Sequence, residues 1–98
     1  MTQTHKKLRQ SARGRFCTLR LDGCNYNTNT TVLAHINIKG RSGMGQKAND
    51  TESCFACSNC HDAIDGRTRV YFSEKDLLRA HFETMQIWIN EGLIEVKS

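Results

Sequence analysis

The sequence predicts a small α+β domain whose short elements are held together by a structural zinc ion. The chain has 98 residues, and a domain of that size buries only about 60–65% of its unfolded surface, so a metal would supplement a thin core. Two pairs of cysteines could hold a tetrahedral zinc ion; the spacing of the second pair is standard for zinc ligands, and that of the first pair is looser. A long apolar-periodic segment near the C-terminus predicts one substantial helix. These three features indicate a single, zinc-stapled domain.

The N-terminal residues are strongly basic. Residues 1–15 are predicted to form a basic arm with a short helix through residues 6–12, and residues 16–98 form the domain. The formal net charge is +4. The cations of the arm all precede the first acidic residue, Asp22: they are Lys6, Lys7, Arg9, Arg13 and Arg15. Such an arm suits a phosphate backbone, from which each bound cation releases condensed counterions. A solvated tail that keeps the domain in solution explains the charge equally well.

Three strands and a short helix are predicted before the long helix. Apolar alternation predicts a strand over residues 16–21 that ends in a turn at Asp22-Gly23. Residues 31–36 are β-branched and apolar and predict a central strand, and residues 53–56 predict a strand that returns beside it. A helix is predicted to begin at Asn59 or Cys60 and to end at Gly66. The predicted ββα core therefore spans about residues 31–66.

The long C-terminal helix is predicted over about residues 73–91. Ser73 is its N-cap, and Asp76 at the third helical position provides an acidic version of the capping box. Gly92 follows as a left-handed stop. Apolar residues at helical spacing predict the buried face: Leu78, Phe82, Met85 and Ile89 form one stripe, and Leu77 and Trp88 widen it. Core packing is the favoured role of Trp88.

The strongest chemical signal is a four-thiolate zinc site. Its predicted ligands are Cys17, Cys24, Cys57 and Cys60. The spacing of Cys57 and Cys60 is standard for a zinc knuckle, and that of Cys17 and Cys24 fits a strand and turn. Cys54 also forms a Cys-x-x-Cys pair with Cys57, but it falls on an apolar strand, so we favour Cys60. The alternative is a set of reduced cysteines in a small core.

A second group of residues could carry catalysis. His61 and Asp65 are four apart on the predicted helix, so they share a face and could hold one divalent cation. His35, at the end of the central strand, could take a proton from water because the pKa of histidine lies near neutrality. Asp50 is a further candidate in this group. Taken alone, each histidine is more often structural, and it is their joint placement around the cysteines that favours catalysis.

Two further cations could contact phosphates. Lys47 lies in a loop that contains several glycines, and Arg67 follows the predicted His61 helix. Exposed cations in loops are the alternative interpretation.

The central part of the chain resembles a known family. The chain resembles the YbcO-type prophage nucleases, which are grouped with the HNH, or ββα-metal, endonucleases. Three segments carry the resemblance: the motif Leu33-Ala34-His35-Ile36, the glycine loop that leads to Lys47 and Asp50, and the run from Cys57 to Arg67. This resemblance implies that His35 is a general base, that His61 binds the catalytic metal, and that Cys57 and Cys60 bind a structural zinc. Many HNH enzymes place a metal ligand where this chain has Ala34, and Asp65 or Asp50 is our expected substitute.

The expected protein is therefore an HNH-like, metal-dependent endonuclease that hydrolyses DNA phosphodiester bonds. The resemblance implies a structural Zn²⁺ and a catalytic divalent metal such as Mg²⁺, Mn²⁺ or Zn²⁺. We expect DNA as the partner, no membrane span and possible homodimers. The odd number of cysteines and the lack of an apolar N-terminal signal favour the cytoplasm of a bacterial host. The alternatives are a non-catalytic zinc module that binds nucleic acid, and a phage adaptor protein.

Overall fold

The computed structural model describes residues 2–36 and 50–94. Helix α1 (Thr2–Ser11) is followed by a single 3₁₀ turn (Thr28–Thr30), strands β1 (Val32–His35) and β2 (Ser53–Ala56), helix α2 (Ser58–Ile64) and helix α3 (Glu74–Asn90). The chain is thus a small α+β domain with a two-stranded sheet and a C-terminal helix, as predicted. No helix in these two ranges is long and apolar enough to span a membrane.

The sheet separates two clusters of buried side chains. β1 and β2 are antiparallel, with Val32 opposite Ala56 and His35 opposite Ser53. Because successive side chains of a strand point to opposite faces, Ala34 and Ile36 pack with the cysteine side of the domain. Leu33 belongs to the second cluster, on the other face. The first cluster contains the buried side of α2, and the second contains α1 and the end of α3.

The N-terminal helix is packed on the domain. Leu8 and Ala12, four residues apart on α1, are fully buried against Phe55 and Trp88. The Trp88 indole donates a hydrogen bond of 2.8 Å to the Ser11 hydroxyl. The segment predicted as a basic arm is therefore a longer helix than expected, and its apolar side contributes to the second cluster.

Residues 16–21 do not form the predicted strand. The segment bends at Arg20, whose φ of 48° lies in the left-handed region. One backbone hydrogen bond joins it to β2, from the Thr18 amide to the Phe55 carbonyl at 2.8 Å. Side chains hold the rest, since Arg79 donates to the carbonyls of Thr18 and Leu19 at 2.8 and 2.7 Å. The Thr18 hydroxyl in turn donates to the Phe55 carbonyl at 2.8 Å. The segment thus covers the outer edge of β2 without adding a regular strand.

Helix α3 has the predicted capping box at Ser73 and Asp76, and the predicted core residues Leu77 and Trp88 are buried, but the rest of its buried face differs from the prediction. The buried residues are Leu77, Ala80, Thr84 and Trp88. Phe82 is 64% exposed, and Leu78 and Ile89 are also exposed. A hydrogen bond explains this orientation of the helix. The Phe55 amide donates to the Thr84 hydroxyl at 3.2 Å, so Thr84 faces the edge of β2.

Candidate functional site

The four predicted zinc ligands form one compact group. The sulfur atoms of Cys17, Cys24, Cys57 and Cys60 all lie within 4.8 Å of one another. The Cys57 and Cys24 sulfurs are 3.7 Å apart, whereas Zn–S bonds of about 2.3 Å in a tetrahedron require about 3.8 Å. The group therefore fits a zinc ion, and Cys54 is not a member of it.

Local backbone conformation builds this group from both sides. Cys57 is the N-cap of α2, and its sulfur accepts from the Cys60 amide at 3.4 Å. On the other side, the Cys24 amide donates to the Leu21 carbonyl at 2.9 Å, which closes the turn after Cys17. Gly23 in that turn has a φ of +87°, a conformation that favours glycine.

The thiols of the group differ in pKa. Burial raises the pKa of Cys57, but the backbone amides of Cys60 and Asn25 outweigh it and lower that pKa to about 7. Burial raises the pKa of Cys24 to about 11 and that of Cys60 further still. Cys54, outside the group, has its pKa raised to about 12, chiefly by burial. A divalent cation would stabilise the thiolates of Cys24 and Cys60, which burial otherwise disfavours.

His35 and Asp50 lie together at the end of β1. His35 Nε2 and Asp50 Oδ1 are 2.5 Å apart. The Asp50 side chain is only 3% exposed, and its other oxygen lies 2.9 Å from Arg9 Nε of α1. Burial raises the pKa of Asp50, but the hydrogen bond to His35 and the charge of Arg9 outweigh it, so the net pKa lies below its usual range. Asp50 is therefore a carboxylate that can orient the His35 ring.

His61 and Asp65 form the second pair. His61 Nε2 and Asp65 Oδ2 are 3.2 Å apart on the outer side of α2. Two ligands of one cation at about 2.1 Å, in adjacent octahedral positions, would be about 3.0 Å apart, so the pair suits chelation. Arg67 lies near these acids, with Nη1 3.1 Å from Asp62 and 3.9 Å from Asp65. The described residues supply no third histidine, cysteine or carboxylate ligand to this pair.

The side chain of His35 points from one face of the sheet, and helix α2, which carries His61, packs on the opposite face. His35 shares the face of Leu33, towards α1, because the two residues are two apart in β1. Helix α2 packs against the other face through Cys60 and Ala63. A phosphate that touches both histidines must therefore lie at an edge or an end of the sheet.

The predicted phosphate-binding cations have different surroundings. Lys6, Lys7 and Arg13 are exposed on or just after α1. Arg15 instead pairs with Glu91, and this hydrogen bond raises the pKa of Arg15. Lys47 lies outside the described residues. The partnership of Arg9 with Asp50 could not be predicted from sequence, because it depends on the docking of α1.

This fold and these sites define a small α+β domain with a four-cysteine site suited to a metal ion. A family model described as "Putative nuclease YbcO" matches residues 6–93, and the chain belongs to this family. Curated relatives named "Putative nuclease YbcO", from Escherichia coli (strain K12) and Enterobacteria phage 82, are each 44% identical over 92 residues, which cover 90% of this chain and 96% of the relative. A solved structure described as a putative bacteriophage protein from E. coli K-12 has a TM-score of 0.66 and 38% identity, covering 88% of this chain and all of that one.

Proposed function

We propose that this protein is a DNA endonuclease of the HNH (ββα-metal) type that hydrolyses phosphodiester bonds with the help of a divalent metal. Its curated relatives are named as nucleases. The order β1, β2, α2 supports the proposal, as do a histidine at the end of the first strand and a second histidine on the helix. The phage origin of one relative supports a role in the cytoplasm of an infected bacterium.

The contact between His35 and Asp50 carries this proposal. A carboxylate that holds Nε2 leaves Nδ1 as the ring atom that can accept a proton, which is how histidine bases are oriented in hydrolases. In the proposed step, His35 Nδ1 takes a proton from water as the water oxygen bonds to phosphorus, and the bond from phosphorus to the 3′ oxygen breaks. The ion pair between the exposed Arg9 and the buried Asp50 keeps the carboxylate charged and in place.

His61 and Asp65 are the proposed holders of the catalytic metal. An imidazole nitrogen and a carboxylate oxygen suit Mg²⁺, Mn²⁺ or Zn²⁺, and the rest of the coordination shell would be water and phosphate oxygens. Bound there, such a cation would supply positive charge for the phosphate and the departing oxygen. The side chains are about one-third exposed, at 32% and 34%, so a ligand can reach them.

Exposed cations on α1 are the proposed contacts to the DNA backbone. The side chains of Lys6, Lys7 and Arg13 are exposed to solvent. Arg15 and Arg67 are already paired with carboxylates and would contribute less. Lys47 remains a proposed contact on sequence grounds. An enzyme with one such centre would need two copies to cut both strands, so we propose a homodimer for double-strand breaks.

One observation favours a second candidate, a zinc module that binds nucleic acid without cutting it. Ala34 has no donor atom where many HNH enzymes have a metal ligand, and within residues 2–36 and 50–94 the His61 and Asp65 pair has no third protein ligand. This candidate predicts salt-sensitive DNA binding and no cleavage. An adaptor protein would show neither property.

A plasmid-nicking assay with matched carboxylate variants tests the proposal. Asp65→Asn removes the acid of the proposed metal pair, whereas Asp62→Asn removes a neighbouring acid on the same helix that contacts only Arg67 among the described residues. We expect nicking that depends on Mg²⁺ or Mn²⁺, that falls at least about tenfold in Asp65→Asn, and that persists in Asp62→Asn. Equal nicking by both variants would remove the pair from the mechanism, and an absence of nicking with retained DNA binding would favour the zinc module.

A further inference from the structure

A cavity lies beside His35, between α1 and β1. Its volume is about 250 Å³, and its walls are formed by Arg9, Arg13, Thr31, Val32, Leu33 and His35. The cations come from α1 and the segment after it, and the other residues come from β1 and the residue before it. The cavity therefore places two guanidinium side chains opposite one strand, next to the proposed base.

Strand β1 also has a backbone donor on its edge away from β2. The Ile36 amide donates to the Glu52 carbonyl at 2.9 Å, which fixes Ile36 and Glu52 as a hydrogen-bonded pair in the antiparallel ladder. Hydrogen-bonded and non-hydrogen-bonded pairs alternate in such a ladder, so Leu33 belongs to the second kind. The N–H and C=O groups of Leu33 therefore point away from β2, along the other edge of β1, and Leu33 is also one of the residues that line the cavity.

Two side chains of the cavity have polar groups without a protein partner. Thr31 is only 4% exposed, and its hydroxyl has no hydrogen-bond partner in the described parts of the chain. Buried hydroxyls are normally paired, so this one is available to a water molecule or a ligand atom. Arg13 is exposed and pairs with no carboxylate among residues 2–36 and 50–94. A phosphate oxygen would suit both groups, because guanidinium and hydroxyl groups donate readily to phosphate.

We propose that this cavity binds a phosphate-bearing nucleotide of the substrate strand, next to the nucleotide whose phosphodiester bond is cut. Arg13, Thr31 and the Leu33 amide would contact its phosphate, and the apolar side chains of Val32 and Leu33 would lie against its sugar. That the bound nucleotide belongs to a nucleic-acid strand rests on the proposed function, whereas the position of the site rests on the cavity itself. The site orients the strand relative to His35, which forms another wall of the same cavity.

Binding of thymidine monophosphate to the whole chain tests this inference by NMR titration. We expect the amide signals of Thr31 and Leu33 to shift, inorganic phosphate to compete, and unphosphorylated thymidine to bind far more weakly. Arg13→Gln should weaken binding about tenfold, because it removes a charge-assisted hydrogen bond. Arg69→Gln, which changes another exposed arginine outside the cavity, should leave the Kd unchanged. Thr31→Val keeps the shape of the side chain, should fold normally, and should weaken binding several-fold.

Equal dissociation constants for Arg13→Gln and Arg69→Gln, or signal shifts confined to other parts of the chain, would overturn the inference. So would equal binding of thymidine with and without its phosphate. The titration measures nucleotide binding, and the plasmid-nicking assay measures cleavage. A chain that nicks plasmid but fails this titration keeps its proposed function and loses the subsite, whereas one that binds the nucleotide at Arg13 without nicking keeps the subsite and loses the nuclease mechanism.

Discussion

Replacing one zinc ligand should unfold the domain, whereas replacing the neighbouring non-ligand cysteine should not. Cys60 and Cys54 are both buried, at 1% and 0% exposure, but only Cys60 belongs to the four-sulfur group. Cys60→Ala therefore removes a proposed metal bond, and Cys54→Ala removes only a packed sulfur atom. The two variants are matched in residue type, size change and burial.

The expected magnitudes differ widely. A domain of 98 residues has a net stability of about 5–15 kcal/mol. Structural zinc sites contribute about 10–16 kcal/mol of apparent binding free energy, which is as large as the whole stability. Loss of the ion in Cys60→Ala should therefore abolish cooperative folding. Loss of one buried sulfur in Cys54→Ala should cost about 1 kcal/mol, which lowers the Tm by roughly 4–8 °C.

Metal content and thermal melting measure both effects. We expect about one zinc per chain in the native protein and in Cys54→Ala, each with a cooperative melt that a strong chelator abolishes. Cys60→Ala should contain little zinc and show no cooperative melt. The reasoning would be refuted if Cys60→Ala kept its zinc and its Tm, or if Cys54→Ala lost the metal.

Three further predictions concern the rest of the molecule. Because the pKa of Asp50 lies below its unfolded value of about 3.9, its ionised form stabilises the fold above that pH, and this contribution disappears as the pH falls through the folded pKa. In melts from about pH 6 to about pH 3, Asp50→Asn should start about 1.5–3 kcal/mol less stable than the native protein. The difference should begin to shrink once the pH falls below about 3.9; a constant difference would contradict this, and exposed Asp22→Asn is the control. Leu8→Ala should cost about 2–5 kcal/mol in chemical denaturation because Leu8 is fully buried; a loss no larger than that of exposed Lys7→Ala would show that α1 is not docked. In DNA-binding titrations, the double variant Lys6→Gln and Lys7→Gln should reduce the slope of log K against log salt by about 2. Arg15→Gln should change this slope little because Glu91 already pairs with Arg15. Equal reductions of the slope would refute the proposal that the lysines contact DNA and Arg15 does not.

Features set by local spacing were predictable from the sequence. Cys57 and Cys60 come together because one turn of helix separates them, and the same geometry pairs His61 with Asp65. The capping box of α3 follows from Ser73 and Asp76 alone. Each of these depends on residues three or four apart in a helix, where backbone geometry fixes the distance.

Features set by docking were not predictable. Hydrophobic periodicity predicts the burial of Leu77 and Trp88, but it centres the buried face on Leu78, Phe82 and Ile89, which are exposed. Thr84 is buried because its hydroxyl accepts a hydrogen bond from the Phe55 amide, a contact that the apolar pattern does not reveal. The contact of Arg9 with Asp50 joins positions far apart in sequence and exists only because Leu8 anchors α1. Residues 16–21 alternate in polarity as a strand does, but they do not join the sheet. The backbone bends at Arg20, and the side chain of Cys17 lies in the four-sulfur group.

Plasmid nicking by His35→Ala, compared with His81→Ala, tests the proposed function most directly. His81 is a half-buried histidine whose Nδ1 lies 2.8 Å from the Ser53 carbonyl oxygen, on the α3 side of the sheet. Loss of a general base should reduce nicking at least about a hundredfold in His35→Ala, with circular dichroism and zinc content unchanged, while His81→Ala should keep its nicking. Undiminished nicking by a folded, zinc-loaded His35→Ala protein would contradict the assignment of His35 as the base.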